Sequence, residues 1–167
     1  MLAESANPTA IDETANQYLT FLLNGEEYGI EILKVQEIKS WGPYTPLPRS
    51  PDFVLGVINL RGAIVPILDL RARLGLPSTE VSSTTAIIII SAEYEQQVRT
   101  MGLVVDSVSE VNQLLPQDIQ QASEVNSNVD PDGYISAFGR VDEKLIILLN
   151  LDPIIVSTLE PTPEADV

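Results

Sequence analysis

The chain has 167 residues, 44% of them apolar, with 24 acidic against 9 basic side chains and a formal charge of −15. That balance disfavours nucleic acid phosphates and anionic membranes and makes basic protein surfaces the natural partners. Cysteine and histidine are both absent, which removes disulfides, thiolate and imidazole metal sites, the usual general base and the thiol nucleophile together.

Nine glycines and twelve prolines cut the sequence into short apolar segments, which suits an all-β protein better than a helical bundle. Residues 1–16 are Ala, Glu, Asn, Thr and Pro without apolar periodicity and read as a disordered acidic arm. No basic residue precedes Lys34, no apolar core precedes Leu19, and no apolar run approaches the roughly 18 residues of a membrane span. The expectation is a soluble, cytoplasmic protein.

From Gln17 the segment YLTFLL, the dipeptide Asn24-Gly25 and the segment EEYGI predict a first β-hairpin. Ile32, Leu33, Val35 and Ile38 then fit either a short helix or a bent strand before Trp41-Gly42-Pro43. Pro46, Pro48 and Pro51 bracket Arg49 and Ser50 in an extended loop. Val54–Leu60 and Ala63–Leu70 are two β-branched runs around Arg61-Gly62, a hairpin that holds one arginine out at its tip. Arg71–Leu76 reads as one helical turn stopped by Gly75 and Pro77.

After the polar connector Ser78–Thr84, Ala86–Ile90 is a continuous apolar run and predicts a strand buried on both faces. Glu93–Gln97 should turn the chain and Val98–Val105 return it. Val108–Val111 predicts a short helix or a strand end, Leu114–Ala122 a polar helical turn, and Ser123–Asp132 a loop. Tyr134–Arg140 and Leu145–Leu151 form a last hairpin, and 158–167 a disordered Pro-Glu tail.

Two stretches repeat at fixed spacing. Gly29-Ile30 with Val35-Gln36-Glu37-Ile38 matches Gly102-Leu103 with Val108-Ser109-Glu110-Val111, an offset of 102 minus 29, or 73. Ile64-Val65 with Ile67-Leu68-Asp69-Leu70 matches Leu145-Ile146 with Leu148-Leu149-Asn150-Leu151, an offset of 145 minus 64, or 81. About five short strands per repeat suffice for a small closed barrel but give a marginal core, so two such units should pack together. The expected domain is 17–157, with a first barrel at about 17–75 plus C-terminal residues and a second at about 84–155.

No phosphate-cradling loop, nucleophile elbow or metal-ligand spacing is present. Asp69, Asp106, Asp142 and Glu143 are the carboxylates available for acid and base work, but Asp69 and Asp106 close apolar strands where a carboxylate commonly caps a turn. Arg71 and Arg73 should favour the end of their short helix.

Three segments in order, EEYGIEILKVQEI (Glu26–Ile38), LGVINLRGAIVPILDLR (Leu55–Arg71) and MGLVVDSVSEV (Met101–Val111), closely resemble the CheW family of bacterial chemotaxis coupling proteins. The resemblance implies an all-β fold of two five-stranded barrels of the Src-homology-3-like kind with short helices. It further implies a non-catalytic adaptor, without cofactor or metal, that binds the histidine kinase CheA and the cytoplasmic tips of methyl-accepting chemoreceptors and is recruited to receptor arrays. Family receptor positions map onto Val35, Glu37, Gly56, Asn59 and Arg61, and kinase positions onto Ala86, Gly102, Val104 and Val108 of the second barrel. The loop Glu93–Thr100 is longer than the family's. The alternatives are a sibling adaptor, as in twitching motility, or a small-barrel enzyme or ligand-binding protein.

Overall fold

A computed structural model describes residues 17–125 and 132–159; the expected acidic arm and most of the expected Pro-Glu tail lie outside them. Among the described residues eleven strands form two sheets. They are β1 (Gln17–Leu23), β2 (Glu26–Glu31), β3 (Val35–Ser40), β4 (Val54–Leu60), β5 (Ala63–Asp69), β6 (Ala86–Tyr94), β7 (Gln97–Val105), β8 (Ser107–Gln113), β9 (Ile119–Gln121), β10 (Ile135–Val141) and β11 (Lys144–Leu149). Two helices, α1 (Leu70–Arg73) and α2 (Leu151–Leu159), follow β5 and β11.

One sheet runs β8-β1-β2-β11-β10-β9 and the other β3-β6-β7-β5-β4. In the positions of the sequence repeat, the first sheet takes strands one and two from the first repeat and strands three to five, with the additional β9, from the second, and the second sheet takes one and two from the second repeat and three to five from the first. The two repeats have exchanged their opening hairpins. The sheets therefore do not follow the chain division at about 75–84 expected from the duplication, because each barrel draws on both halves of the chain.

The exchange keeps the register of the repeat. Leu148 of β11 lies beside Gly29 of β2, and Ile67 of β5 beside Gly102 of β7, the same pair shifted by 81 and 73. A β-bulge between Val54 and Gly56 has its counterpart between Ile135 and Ala137. Such bulges bend a strand sharply enough to close a small barrel.

The apolar pattern explains why the barrels stay together. Ile87, Ile88, Ile89 and Ile90 of β6 are all 1% exposed or less, as a strand buried on both faces requires. Ile87 and Ile89 point into the five-stranded barrel with Ile58, Leu60, Val65, Ile67 and Val104. Ile88 and Ile90 point out of it, into a cluster with Leu19, Phe21, Leu23, Ile30, Met101, Leu103 and Ile154. That cluster between the barrels holds 18 buried residues, against 7 inside one barrel and 4 inside the other. With roughly 1.5–3 kcal/mol from each fully buried Leu or Ile, the seam rather than either interior is the principal core.

Three local expectations change. Ile32–Ile38 is neither a helix nor one strand: Ile32–Lys34 is a single 3-10 turn leading into β3. The β6–β7 ribbon turns more tightly than Glu93–Gln97, at Glu95-Gln96 alone, both with positive φ as a twist-matched two-residue turn demands. Leu151 does not belong to the last hairpin, because Leu151–Leu159 is a helix that drives Leu151, Ile154 and Ile155 into the seam and carries order two residues past 157, where the tail was expected to begin. Its Pro153 sits in the first turn, where the missing N–H is harmless.

Candidate functional site

The hairpin β4–β5 carries Arg61 at its tip with φ 52°, followed by Gly62 at φ 90°. Two successive left-handed residues make the turn type that matches strand twist, and the Gly62 amide closes it by donating to Asn59 Oδ1 at 2.8 Å. The Arg61 side chain is 65% exposed, yet its Nη2 donates to Glu37 Oε2 of β3, the opposite edge of the same sheet. Barrel closure thus brings strand edges that are distant in the sheet order into contact. The Arg61 hydrogen bond is the main cause holding the Glu37 carboxyl below its usual range, and Glu37 in turn raises the guanidinium.

Glu37, Asn59 and Arg61 therefore form one cluster. Gly56 lies in the same strand as Asn59, where the Thr45 backbone crosses it: Thr45 and Val57 exchange two 2.9 Å hydrogen bonds, and a Cβ on Gly56 would fall 2.1 Å from the Thr45 carbonyl oxygen. Val35 is half-buried at the start of β3 and packs on the seam. Apolar Ile38 and Ile64, 46% and 66% exposed, are carried by β3 and β5, the strands that bear Glu37 and follow the Arg61 tip.

The second expected set is placed differently. Ala86, Gly102 and Val104 lie in β6 and β7, in the same five-stranded sheet as the first set, and all three are buried. Only Val108 belongs to the other sheet, in β8, where it is half-buried against the seam. Gly102 is glycine for a packing reason: a Cβ there would meet Ile87 at 2.7 Å and Ile67 at 2.9 Å. These positions shape strands and present little surface of their own.

The sequence reading missed the roles of Arg71 and Arg73. Arg71 is 7% exposed; its Nε and Nη2 hold Asp106 Oδ1 and Oδ2 at 2.8 and 2.7 Å, and Nη1 donates to the Pro77 carbonyl. Asp106 Oδ2 also accepts from the Asn24 amide at 2.9 Å, so a single carboxylate joins α1 to the β1–β2 turn. The Arg71 hydrogen bond chiefly lowers the Asp106 carboxyl. Asp69 does cap as expected, accepting from the Arg71 amide at 3.1 Å. Arg73 stacks between Phe53 and Tyr134, at 4.5 and 5.0 Å, and its Nε reaches Ser157 Oγ of α2. Phe53 and Tyr134 are counterparts under the 81-residue offset, so Arg73 bridges the seam. The apolar spacing of α1 gives no hint of this, since both partners are distant in sequence.

Among the described residues no three Asp, Glu, His or Cys side chains could together hold a metal ion, and no helix is long and apolar enough to cross a membrane.

Residues 17–158 match the CheW-like domain. The chain belongs to the CheW-like family. It is 38% identical over 146 residues to a chemotaxis protein CheW of Klebsiella aerogenes, covering 87% of this chain and 85% of that protein. Its identity to the CheW of Bacillus subtilis is 31%, covering 88% and 91%. Among solved structures it is similar to the scaffolding protein TtCheW of Thermoanaerobacter tengcongensis, with a TM-score of 0.71 and 32% identity over 82% of this chain and 90% of that one. That likeness carries the expected fold of two Src-homology-3-like barrels, here with a sixth short strand, β9, added to one of them.

Proposed function

We propose that this CheW-like protein is a non-catalytic chemotaxis adaptor that couples the histidine kinase CheA to the cytoplasmic tips of methyl-accepting chemoreceptors and is thereby recruited to membrane-associated arrays. The observation that carries the reading is Arg61. It is an exposed guanidinium held on a stiff hairpin tip and oriented by Glu37, with Ile38 and Ile64 exposed on the same strands. A pre-oriented arginine loses less rotamer freedom on meeting a carboxylate, and exposed apolar neighbours supply area to bury around it. Receptor contact is assigned to Val35, Glu37, Gly56, Asn59 and Arg61. Gly56 acts through the Thr45 segment above it and Asn59 through the turn it closes. Ala86, Gly102, Val104 and Val108 enter kinase contact through the shape of the strands they pack.

The test is binding of a receptor cytoplasmic fragment and of the kinase to the native chain and to Arg61→Ala. Losing charge-assisted hydrogen bonds should weaken receptor affinity about tenfold to a hundredfold. Kinase affinity and the unfolding temperature should stay unchanged. Equal loss for both partners, or a fall in unfolding temperature that accounts for the lost binding, overturns the assignment. Calorimetry with ATP or divalent ions should show no stoichiometric binding.

A further inference from the structure

The two helices fill the seam unequally. Under the offset of 81, Arg73 and Leu74 of α1 stand where α2 has Ile154 and Ile155. Both isoleucines are 3% exposed or less within the seam cluster, because α2 runs on for nine residues. The helix α1 stops after four, and the chain turns away at Gly75 with φ 77°. A cavity of 370 Å³ remains between the end of α1 and strands β2, β10 and β11. That is the size of a small-molecule site, for which roughly 300–1,000 Å³ is usual.

The walls are apolar: Leu74 and Leu76 follow α1 and Ile147 and Leu149 belong to β11. Two polar groups in the lining are unused. The Arg73 guanidinium is stacked between Phe53 and Tyr134 and its Nε is taken by Ser157, so Nη1 and Nη2, which have no partner among the described residues, are open at their edge. Tyr28 is 8% exposed, yet its hydroxyl makes no hydrogen bond among the described residues. Burial, with Glu26 as the smaller cause, raises that hydroxyl and keeps it a donor at neutral pH. A buried hydroxyl without a partner is uncommon in a folded chain. The other charged side chain in the lining, Asp132, is exposed and pairs with no cation among the described residues.

We infer that this cavity binds a monocarboxylic acid with a compact apolar body, of the size of one aromatic ring. The carboxylate accepts from the Arg73 edge and the Tyr28 hydroxyl, and the ring lies among Leu74, Leu76, Ile147 and Leu149. A planar carboxylate matches the edge of a guanidinium with two parallel hydrogen bonds. A neutral ligand would cover that guanidinium without a counter-charge, and a second negative charge would meet Asp132 with no cation left for it. None of the residues assigned to receptor or kinase contact lines the cavity, so the inference stands apart from that assignment.

The test is calorimetry and amide chemical shifts on the full chain with 3-phenylpropionate, its neutral analogue 3-phenylpropanamide and the dicarboxylate phenylsuccinate. The propionate should bind one to one, raise the unfolding temperature and shift the amides of Tyr28, Leu74, Leu76 and Ile147. The other two compounds should bind at least about tenfold more weakly. Tyr28→Phe keeps the ring in place and should weaken propionate binding about tenfold, as one lost hydrogen bond to a charged group requires. Arg73→Met should abolish it. Because Arg73 also bridges the seam, Ala72→Phe is the second variant: it enlarges an exposed residue of the lining and should block the site at unchanged unfolding temperature. Equal binding of the three compounds, binding that survives both Tyr28→Phe and Ala72→Phe, shifts centred elsewhere, or no binding at millimolar concentration overturns the inference.

Discussion

The two barrels share strand order, bulge positions and the register of their parallel strand pair, yet they differ at one edge, where β10 pairs with three residues of β9 and its counterpart β4 meets only the single bridge of Thr45 with Val57. Where Ala137 sits buried with its Cβ beside Gln121 of β9 in the six-stranded barrel, its counterpart Gly56 lies under the Thr45 backbone with no room for one. Where Asp106 holds Arg71, the equivalent positions in the other half are Leu33 and Asp152, which cannot pair. Where Arg61 meets Glu37, the other barrel has Asp142 and Glu110. The duplication conserved what backbone hydrogen bonding and apolar alternation require, and left the turns and edges free to diverge in charge.

The sharpest way to break the equivalence is at Gly56. Gly56→Ala drives a Cβ into a backbone carbonyl that no rotamer change can move, so we expect a loss of about 3 kcal/mol in urea unfolding, the upper end for overpacking. The reverse change at its counterpart, Ala137→Gly, should cost only about 0.5–1 kcal/mol through backbone entropy and lost packing. Similar losses at both sites would show that the Thr45 crossing yields.

Removing the ion pair present in only one half comes next. Arg71→Met leaves Asp106, whose side chain is 25% exposed, without its bidentate partner, and should cost about 2–3 kcal/mol. The same pair makes a pH prediction. The Asp106 carboxyl is lowered in the folded state, so its contribution is complete above the unfolded carboxyl value of about 3.9 and is lost as pH falls below that, through the lowered folded value. Acid unfolding monitored by circular dichroism should therefore be shallower for Asp106→Asn than for the native chain, whatever the two stabilities at neutral pH.

Charge at the tips sharpens the comparison without touching stability. Arg61→Asp installs the charge of Asp142 on the other hairpin; it should abolish receptor binding measurably more than Arg61→Ala, because it sets a second carboxylate beside Glu37. The smallest effect belongs to the pair Lys144–Glu27 at 3.2 Å on the six-stranded barrel: with Lys144 67% exposed, Lys144→Ala should change unfolding free energy by under about 0.5 kcal/mol.

Much of this was legible in the residues. Asn24-Gly25 and Arg61-Gly62 each place a residue that accepts positive φ next to a glycine, between apolar runs, and both are hairpin turns. The unbroken Ile87–Ile90 run could only be a strand with both faces covered, and the offsets of 73 and 81 announced two equivalent units. Arg61 stood out as a lone charge on a stiff ribbon. These features depend on neighbours in the chain and on side-chain period, which a sequence displays directly.

What the sequence could not display is which repeat each hairpin joins. A strand alternates in the same way whether its partner comes from its own repeat or the other one, so the exchange of opening hairpins was decided only when the seam cluster buried Phe21, Ile30, Ile88 and Leu103 together. The contacts of Glu37 with Arg61 and of Arg71 with Asp106 join residues 24 and 35 positions apart, and the stacking of Arg73 on Tyr134 joins residues farther apart still. Charge pairs and stacks of this kind leave no periodic trace along the chain. They exist because closing two small barrels around a shared core brings strand edges and helix ends to the same place.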